Sequence, residues 1–180
     1  MHNNDPRVVG KTVAIEQLSF EEAAELAYFG AKILHPASIW PAQQHNIPVR
    51  LLNTMQPSAK GTLITRQPER AGVKAVAAKD GITSVNIRSS RMLLAYGFLR
   101  KVFEVFERYH TSIDMITTSE VAVSLTIDNA TYLPEITQEL QALGVVETEG
   151  AQTIVSIVGH QLTQETDTLQ KVFKALQGID

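Results

Sequence analysis

Between residues 82 and 149, the spacing of apolar residues alternates between the period of a strand and the period of a helix. Read along the chain, the predicted order is strand, helix, strand, strand, helix, strand. This is the βαββαβ order of ferredoxin-like domains, in which helices cover one face of an antiparallel sheet. We therefore predict an α+β fold for this region.

The first helix and the third strand of this region carry the clearest patterns. In the helix, apolar residues recur at intervals of three and four, at Phe98, Leu99, Val102, Phe103, Phe106 and Tyr109. In the strand they occupy every second position, at Val121, Val123, Leu125 and Ile127, which predicts one buried face. The other predicted elements are strands at 82–87, 113–116 and 145–147, a hairpin turn at 117–120, and a helix from Leu133 that stops at Gly144.

Two further pieces flank this region. One is a strand at 73–78, which the turn signal Lys79-Asp80-Gly81 separates from the next strand. The other is a strand at 152–158 followed by a helix that ends near Leu176. Together they have the pattern of a second copy of the same domain that stops early. We therefore predict that 73–78 and 152–180 form a partial second domain and that the chain ends within it.

The first 70 residues differ in character. Ser19 and Glu22 form a capping-box pattern, which predicts the start of an alanine-rich helix that ends before Pro36. The features that follow are a short helix at 38–44, a strand at 47–52, and a stretch rich in proline and glycine at 56–72 in which 62–64 also fits a strand. Because such a stretch is typical of a boundary, we place the domain join near residue 70.

Composition narrows the classes of partner. The 180 residues carry a formal net charge of −3, so without a basic excess we expect no nucleic acid or membrane surface as a partner. The absence of cysteine excludes disulfides, thiolate catalysis and cysteine-based zinc sites, and favours a reducing cytoplasm. No apolar run approaches the roughly 18 residues that would span a bilayer.

Two further features receive no function. His35 and His45 lack acidic neighbours at ligand spacing, so we expect no metal site. Trp40, the only tryptophan, is predicted to be a packing anchor beside Pro41.

Four motifs carry a resemblance to a known family. Residues 92–99 read Met-Leu-Leu-Ala-Tyr-Gly-Phe-Leu, and residues 112–121 read Ser-Ile-Asp-Met-Ile-Thr-Thr-Ser-Glu-Val. These two motifs resemble the first ACT domain, a regulatory domain, of aspartate kinases. Residues 4–7, Asn-Asp-Pro-Arg, and residues 29–36, Phe-Gly-Ala-Lys-Ile-Leu-His-Pro, are similar to the end of the catalytic domain in the same family.

The resemblance implies three parts. They are the carboxyl-terminal piece of an amino acid kinase α/β domain at 1–70, a ferredoxin-like ACT domain at 82–149, and part of a second ACT domain at 73–78 and 152–180. The family's phosphate-binding segment and its aspartate-binding residues are not in this chain. We therefore expect no catalytic residue here, and Mg-ATP as a cofactor of the full-length enzyme only.

The resemblance also implies which residues face the nucleotide. Asp5, Arg7, Lys32 and Ile33 match positions that lie against ATP in this family. Arg7 and Lys32 would be charge partners for phosphate. Without the resemblance, solvated surface cations are the ordinary interpretation of both.

A free amino acid needs partners of opposite charge for its carboxylate and its ammonium. Gly97 opens a helix whose unpaired N–H groups favour a carboxylate, and Asp114 and Glu120 offer negative charge for an α-ammonium or a lysine side chain. By resemblance, the positions around the effector of lysine-sensitive members are Met92, Phe98, Leu99, Ser112, Ile113, Asp114, Thr118, Ser119, Glu120 and Val121. Core packing for Met92, Phe98, Leu99 and Val121, and a cap or hairpin role for Asp114, remain open.

The leading hypothesis is a lysine-responsive regulatory piece of an aspartate kinase, the enzyme that makes 4-phospho-L-aspartate from ATP and L-aspartate. ACT domains of this family pair between subunits with the inhibitor at the interface, so we expect a homodimer. A threonine-responsive aspartate kinase and a stand-alone amino-acid-binding ACT subunit are the alternatives. An intact catalytic enzyme is excluded because the chain has no phosphate-loop or acid–base constellation.

Overall fold

A computed structural model describes residues 1–29, 34–67, 72–92, 96–162 and 166–178. Backbone contacts divide the chain into two compact units. Unit 1 comprises Met1–Ala78 and Val155–Asp180, and unit 2 comprises Lys79–Ile154. None of the helices described in these ranges is both long and apolar enough to cross a membrane.

Unit 1 contains a three-stranded sheet with two helices. Its first elements are β1 (Gln17–Ser19), α1 (Phe20–Phe29), α2 (Pro36–Gln44), β2 (Val49–Leu51) and β3 (Thr62–Thr65). The central strand is β3, which runs parallel to β1 and antiparallel to β2. The strand that the sequence allows at 62–64 is therefore the centre of a sheet, whereas the three residues of β1 are too few to show a period.

The capping box predicted at the start of α1 is present. Glu22 N–H donates to Ser19 Oγ at 3.0 Å, and Ser19 N–H donates to Glu22 Oε2 at 2.7 Å. Both residues are buried, which these reciprocal bonds permit because they satisfy backbone donors at the helix start. The predicted course of the helix toward Pro36 includes residues 30–33, which lie outside the described residues.

The core of unit 1 combines segments that are far apart in sequence. Its buried members are Ile15, Leu18, Phe20, Ala23, Leu26, Ile39, Ile64, Ala75 and Val158. Ala75 and Val158 come from the two flanking strands predicted at 73–78 and 152–158. These strands therefore contribute to the same core as the first 70 residues.

Unit 2 has the predicted ferredoxin-like topology. The elements that build it are β4 (Gly72–Arg88), a 3₁₀ turn at Ser90–Met92, α3 (Phe98–Arg108), β5 (Met115–Thr118), β6 (Ala122–Ile127), α4 (Leu133–Leu140) and β7 (Val145–His160). The sheet order is β5-β6-β4-β7, with β6 antiparallel to both β4 and β5. The first and third strands of the motif are thus central, which confirms the α+β fold. A last helix, α5 (Thr166–Ala175), belongs to unit 1.

A single apolar cluster joins α3 and α4 to the sheet of unit 2. Its buried members are Val85, Ile87, Phe98, Val102, Val105, Phe106, Val123, Leu125, Ile127, Ile136 and Leu140. The alternation predicted for the third strand is confirmed from Val123 onward, whereas Val121 is exposed in the hairpin. Each large apolar side chain buried in this way contributes roughly 1.5–3 kcal/mol.

Each long strand runs through a predicted break. The turn predicted at Lys79-Asp80-Gly81 is wrong, because β4 continues through it with Gly81 at a φ of 76°. The break predicted between 147 and 152 is also wrong, because β7 continues with Ala151 at a φ of 57°. A single left-handed residue can be absorbed within a strand, as in a β-bulge, so turn composition alone did not end these strands.

Two smaller expectations are also corrected. β5 begins at Met115 rather than at residue 113, so the hairpin turn is displaced to 119–121. Trp40 is 59% exposed and is therefore not a packing anchor.

Replacing Ser19 by alanine is expected to lower the free energy of unfolding of unit 1 by about 1 kcal/mol, because the buried Glu22 N–H loses its acceptor. Urea unfolding followed by far-ultraviolet circular dichroism measures the change in midpoint. Ser58→Ala, in the exposed loop between β2 and β3, is the matched control and should leave the midpoint in place. Equal midpoints for the two variants would contradict the role given to the capping box.

Candidate functional site

The start of α3 has the geometry expected for a helix end that binds a carboxylate. Gly97 precedes the helix with a φ of 77°, and it has no side chain that could cap the helix. Glycine adopts this left-handed conformation at little cost. A Cβ built at Gly97 would meet no described atom within 4 Å, so there is room for a ligand beside the backbone. Phe98 belongs to the core of unit 2, and Leu99 packs against it. Both therefore have the core-packing role that apolar residues usually have.

The hairpin between β5 and β6 lies beside the segment that precedes α3. Ser89 N–H donates to the Val121 carbonyl at 2.8 Å, and Met92 N–H donates to the Ser89 carbonyl at 3.1 Å. Met92 is partly buried against the core of unit 2. The backbone thus brings two of the predicted effector segments together at this end of the sheet.

The polar side chains of the hairpin are exposed. Thr118, Ser119 and Glu120 all lie at the surface, and Ser119 N–H closes the turn on the Ala122 carbonyl at 2.9 Å. Their hydroxyl and carboxylate groups are therefore accessible to a ligand or to a partner chain.

The remaining predicted effector residues lie at the other end of β5. Ser112 is exposed, Ile113 packs against the core of unit 2, and Asp114 N–H donates to the Thr126 carbonyl at 2.8 Å. A strand rises about 3.3 Å per residue, so the four residues of β5 separate this group from the hairpin by roughly 13 Å. Within one chain, the predicted effector residues therefore form two groups rather than one.

Asp114 belongs to a network of charges that the sequence analysis missed. Lys79 Nζ lies 3.5 Å from Asp114 Oδ1 and 2.8 Å from Asp128 Oδ2. The Asp114 side chain is 0% exposed, that of Lys79 20% and that of Asp128 41%. A buried carboxylate needs such a partner, because desolvation of an unpaired charge costs several kcal/mol.

Strand continuity is the signal that could have revealed this network. The composition of residues 79–81 predicts a turn, in which the Lys79 side chain would point to solvent. In one continuous strand β4, Lys79 instead precedes the pairing of Thr83 with Ile127, and Asp128 follows Ile127 directly. Cross-strand pairing therefore brings the lysine and the aspartate to the same end of the sheet.

The predicted nucleotide residues are described only in part. Arg7 Nε and Nη2 donate to the Asp5 carboxylate at 3.0 and 2.6 Å, and Arg7 N–H donates to Asp5 Oδ1 at 2.8 Å. The side-chain hydrogen bonds from Arg7 are the main cause that lowers the pKa of Asp5 to about 2. The Arg7 side chain is 82% exposed, so most of the guanidinium faces solvent. Lys32 and Ile33 lie outside the described residues.

No metal centre adds to these residues in the part of the chain that is described. Three grouped His, Asp or Glu side chains that could hold a metal ion do not occur there. A hollow of about 370 Å³ in unit 1 is lined by Ser19, Glu21, Glu22, Glu25, Arg66 and residues 156–160. It contains none of the predicted nucleotide or effector residues, and we assign it no function.

Comparison with known proteins gives the family. Residues 1–53 match the model of the amino acid kinase family. The chloroplastic aspartokinase 3 of Arabidopsis thaliana is 39% identical over 184 residues, which cover 96% of this chain and 33% of that protein.

Solved structures extend the likeness to the regulatory region. E. coli aspartokinase III in complex with lysine and aspartate matches 100% of this chain and 42% of its own, with 37% identity and a TM-score of 0.83. The complex of the same enzyme with aspartate and ADP has a TM-score of 0.87. A putative carboxyl-terminal regulatory domain of aspartate kinase from Porphyromonas gingivalis is 43% identical, with a TM-score of 0.51 over 59% of this chain and 72% of its own.

These matches join an amino acid kinase segment to a ferredoxin-like regulatory region in one chain. The chain belongs to the aspartate kinase family. It spans 33% of the length of the curated Arabidopsis relative and 42% of the E. coli enzyme.

Arg7→Gln is expected to raise the pKa of Asp5 from about 2 toward its ordinary value of 3.8, because the guanidinium hydrogen bonds favour the charged carboxylate. The pKa of Asp5 is lower in the folded state than its ordinary value of 3.8. Any stabilisation of the folded state by this pair is therefore fully present at pH values above 3.8 and is lost as the pH falls toward 2. Titration of the side-chain carboxyl carbon by NMR measures the pKa. Arg100→Gln, which breaks the exposed pair with Glu104, should leave Asp5 unchanged, and an unshifted Asp5 in Arg7→Gln would refute the assignment.

Proposed function

We propose that this chain is the regulatory part of an aspartate kinase and that its ferredoxin-like domain binds L-lysine as a feedback inhibitor. The whole enzyme would transfer a phosphoryl group from Mg-ATP to L-aspartate and release 4-phospho-L-aspartate. The observation that carries the proposal is the hydrogen bond from Ser89 to Val121, which holds the exposed hairpin that bears Glu120 beside the segment that precedes α3. The resemblance to an enzyme crystallised with lysine supports it.

We also propose the domain boundaries. Residues 1–70 would be the end of the amino acid kinase domain, 82–149 a first ACT domain, and 73–78 with 152–180 part of a second. The match of the amino-terminal segment to the amino acid kinase family supports the first assignment. The extent of unit 2, a few residues beyond 82–149 at each end, supports the second.

The chemistry of the two site segments suits a free amino acid. Backbone N–H groups in the first turn of α3 have no partner within the helix and carry its positive dipole end, so they favour the carboxylate. The Glu120 carboxylate and the Thr118 and Ser119 hydroxyls offer acceptors for an ammonium. Charge-assisted hydrogen bonds of this kind are about twice as strong as neutral ones.

A homodimer would complete the site. β5 is an edge strand whose four residues are all exposed, and an exposed edge offers unpaired backbone groups to another strand. If β5 paired antiparallel with β5 of a second copy about a two-fold axis, the start of one strand would lie beside the end of the other. Asp114 of one copy would then approach Glu120 of its partner, and the two separate groups of predicted residues would become one site.

Inhibition would follow if lysine favoured one arrangement of this dimer. The strands β4 and β7 contribute residues to unit 2 and also to the core of unit 1, through Ala75 and Val158. Continuous backbone therefore links the proposed effector domain to the amino acid kinase segment. Such a link supplies the physical route that coupling between the two sites requires.

For the nucleotide, we propose that Asp5 and Arg7, with Lys32 and Ile33, face Mg-ATP in the whole enzyme. Arg7 fits this role because its exposed guanidinium retains N–H donors beyond those that Asp5 accepts. When bound, Mg-ATP supplies the phosphoryl group, and Arg7 would orient and neutralise its phosphates. We propose the cytoplasm as the compartment, since the chain has no cysteine to oxidise.

Isothermal titration of the purified chain with L-lysine should show saturable binding, which Glu120→Gln should weaken about tenfold because an ammonium partner is lost. Glu135→Gln removes an exposed carboxylate from α4 and should bind lysine as the parent chain does. Titrations with L-threonine and L-methionine complete the set. Binding of threonine alone would replace lysine by the other effector class, and binding of none of the three would sink the proposed sensor.

Ile116→Lys is expected to weaken dimer formation at least tenfold, because it places charge on the exposed edge strand β5. Sedimentation equilibrium at several protein concentrations measures the dissociation constant. Val155→Lys, at an exposed position of β7 in unit 1, is the control for added charge. A dimer equally strong in both variants would place the interface elsewhere than at β5.

A further inference from the structure

Lys79 forms ion pairs with two carboxylates at one end of β5, and the two pairs differ in distance and in burial. Its Nζ is 2.8 Å from Asp128, whose side chain is partly exposed, and 3.5 Å from Asp114, whose side chain is fully covered. Two carboxylates therefore share this one ammonium.

We propose that Lys79 is an internal competitor for the side-chain ammonium of the effector, and that Asp128 is the position to which Lys79 retreats when the effector binds Asp114. This inference rests on the proposed function, because it assigns Asp114 to the lysine site. It adds two residues, Lys79 and Asp128, that determine the affinity and the specificity of that site.

The burial of the Asp114 side chain supports this competition. With its side chain 0% exposed, Asp114 cannot meet a ligand unless a neighbouring group moves. Lys79 is the group whose ion pair with Asp114 is long, and it already has a closer carboxylate in Asp128. A rotation of the Lys79 side chain that keeps Nζ on Asp128 and moves it away from Asp114 would thus open Asp114 to a ligand without leaving Lys79 unpaired.

The ammonium group of the ligand's side chain also supports it. The side chain of free L-lysine ends in the same primary ammonium as Lys79, so exchanging one for the other restores the same charge-assisted bond. A ligand with a neutral side chain offers no such replacement, and displacing Lys79 with it would leave the buried carboxylate without that ammonium. Because Lys79 is tethered to the strand, its effective concentration is high and it occupies the site when effector is scarce.

The test is isothermal titration of the full chain with two probes, L-lysine and L-norleucine, which differ at the end of the side chain by the ammonium group. Lys79→Met should bind lysine about tenfold more tightly, because the competitor is gone. Asp128→Asn should bind it about tenfold more weakly, because Lys79 then stays on Asp114. The double variant should bind lysine as tightly as Lys79→Met does, because Asp128 acts only through Lys79, and norleucine binding should not tighten in Lys79→Met.

Lys60→Met is the matched control. It makes the same substitution in the exposed pair of Lys60 with Glu16 and changes the net charge equally, so it should leave lysine affinity unchanged. If Lys79→Met and Lys60→Met both bound lysine more tightly, the effect would come from net charge alone, and the proposal would be overturned.

The outcomes separate the inference from the proposed function. If the parent chain binds lysine but Lys79→Met binds it no more tightly, or tightens norleucine equally, the competition is refuted and the sensor stands. If neither the parent nor any variant binds lysine, both fail. Should Lys79→Met not fold, Asp128→Asn decides: weaker lysine binding supports the competition, and unchanged or tighter binding overturns it.

Discussion

The register of β4 against β6 fixes both ends of the candidate effector site. The pairing runs from Thr83 with Ile127 to Arg88 with Ala122. Beyond one end of this ladder, Ser89 bonds to the hairpin at Val121, and beyond the other, Lys79 reaches Asp128. A slip of one residue would turn the buried face of each strand to solvent. The apolar core therefore determines the register, and the register positions the polar groups of the site.

The charges at the Lys79 end are hard to explain by stability alone. A buried ion pair often contributes no more than well-packed apolar residues of the same volume, because both charges lose their water. The Asp114 side chain is covered completely, and its charge would be strongly destabilising without a cation. Its position, directly before an exposed edge strand, instead suits a carboxylate that exchanges cations. In the proposed competition the buried network serves recognition, and Lys79 pairs with Asp114 while no ligand is present.

The parts of the fold that depend on neighbouring residues could be predicted from the sequence. The capping box needs only Ser19 and Glu22, and the βαββαβ order follows from local periods. The continuous strands could not be predicted, because Lys79-Asp80-Gly81 has the composition of a turn and the sequence carries no record of its cross-strand partners. In the site, the family motifs pointed to Asp114, whereas its pairing with Lys79 depends on tertiary pairing that periodicity does not encode.

The edge strand also explains why one chain presents an open site. Ligand sites commonly bury 70–90% or more of a small ligand's surface, yet the hairpin, Ser112 and β5 itself are exposed. The two groups of predicted residues also lie at opposite ends of that strand. In the proposed dimer, enclosure comes from a second surface, because β5 of another copy supplies the complementary end. If so, lysine binding and dimer formation are linked equilibria, and each must strengthen the other by the same factor. The effector would then act on the kinase segment through the dimer, because only the paired form contains a complete site.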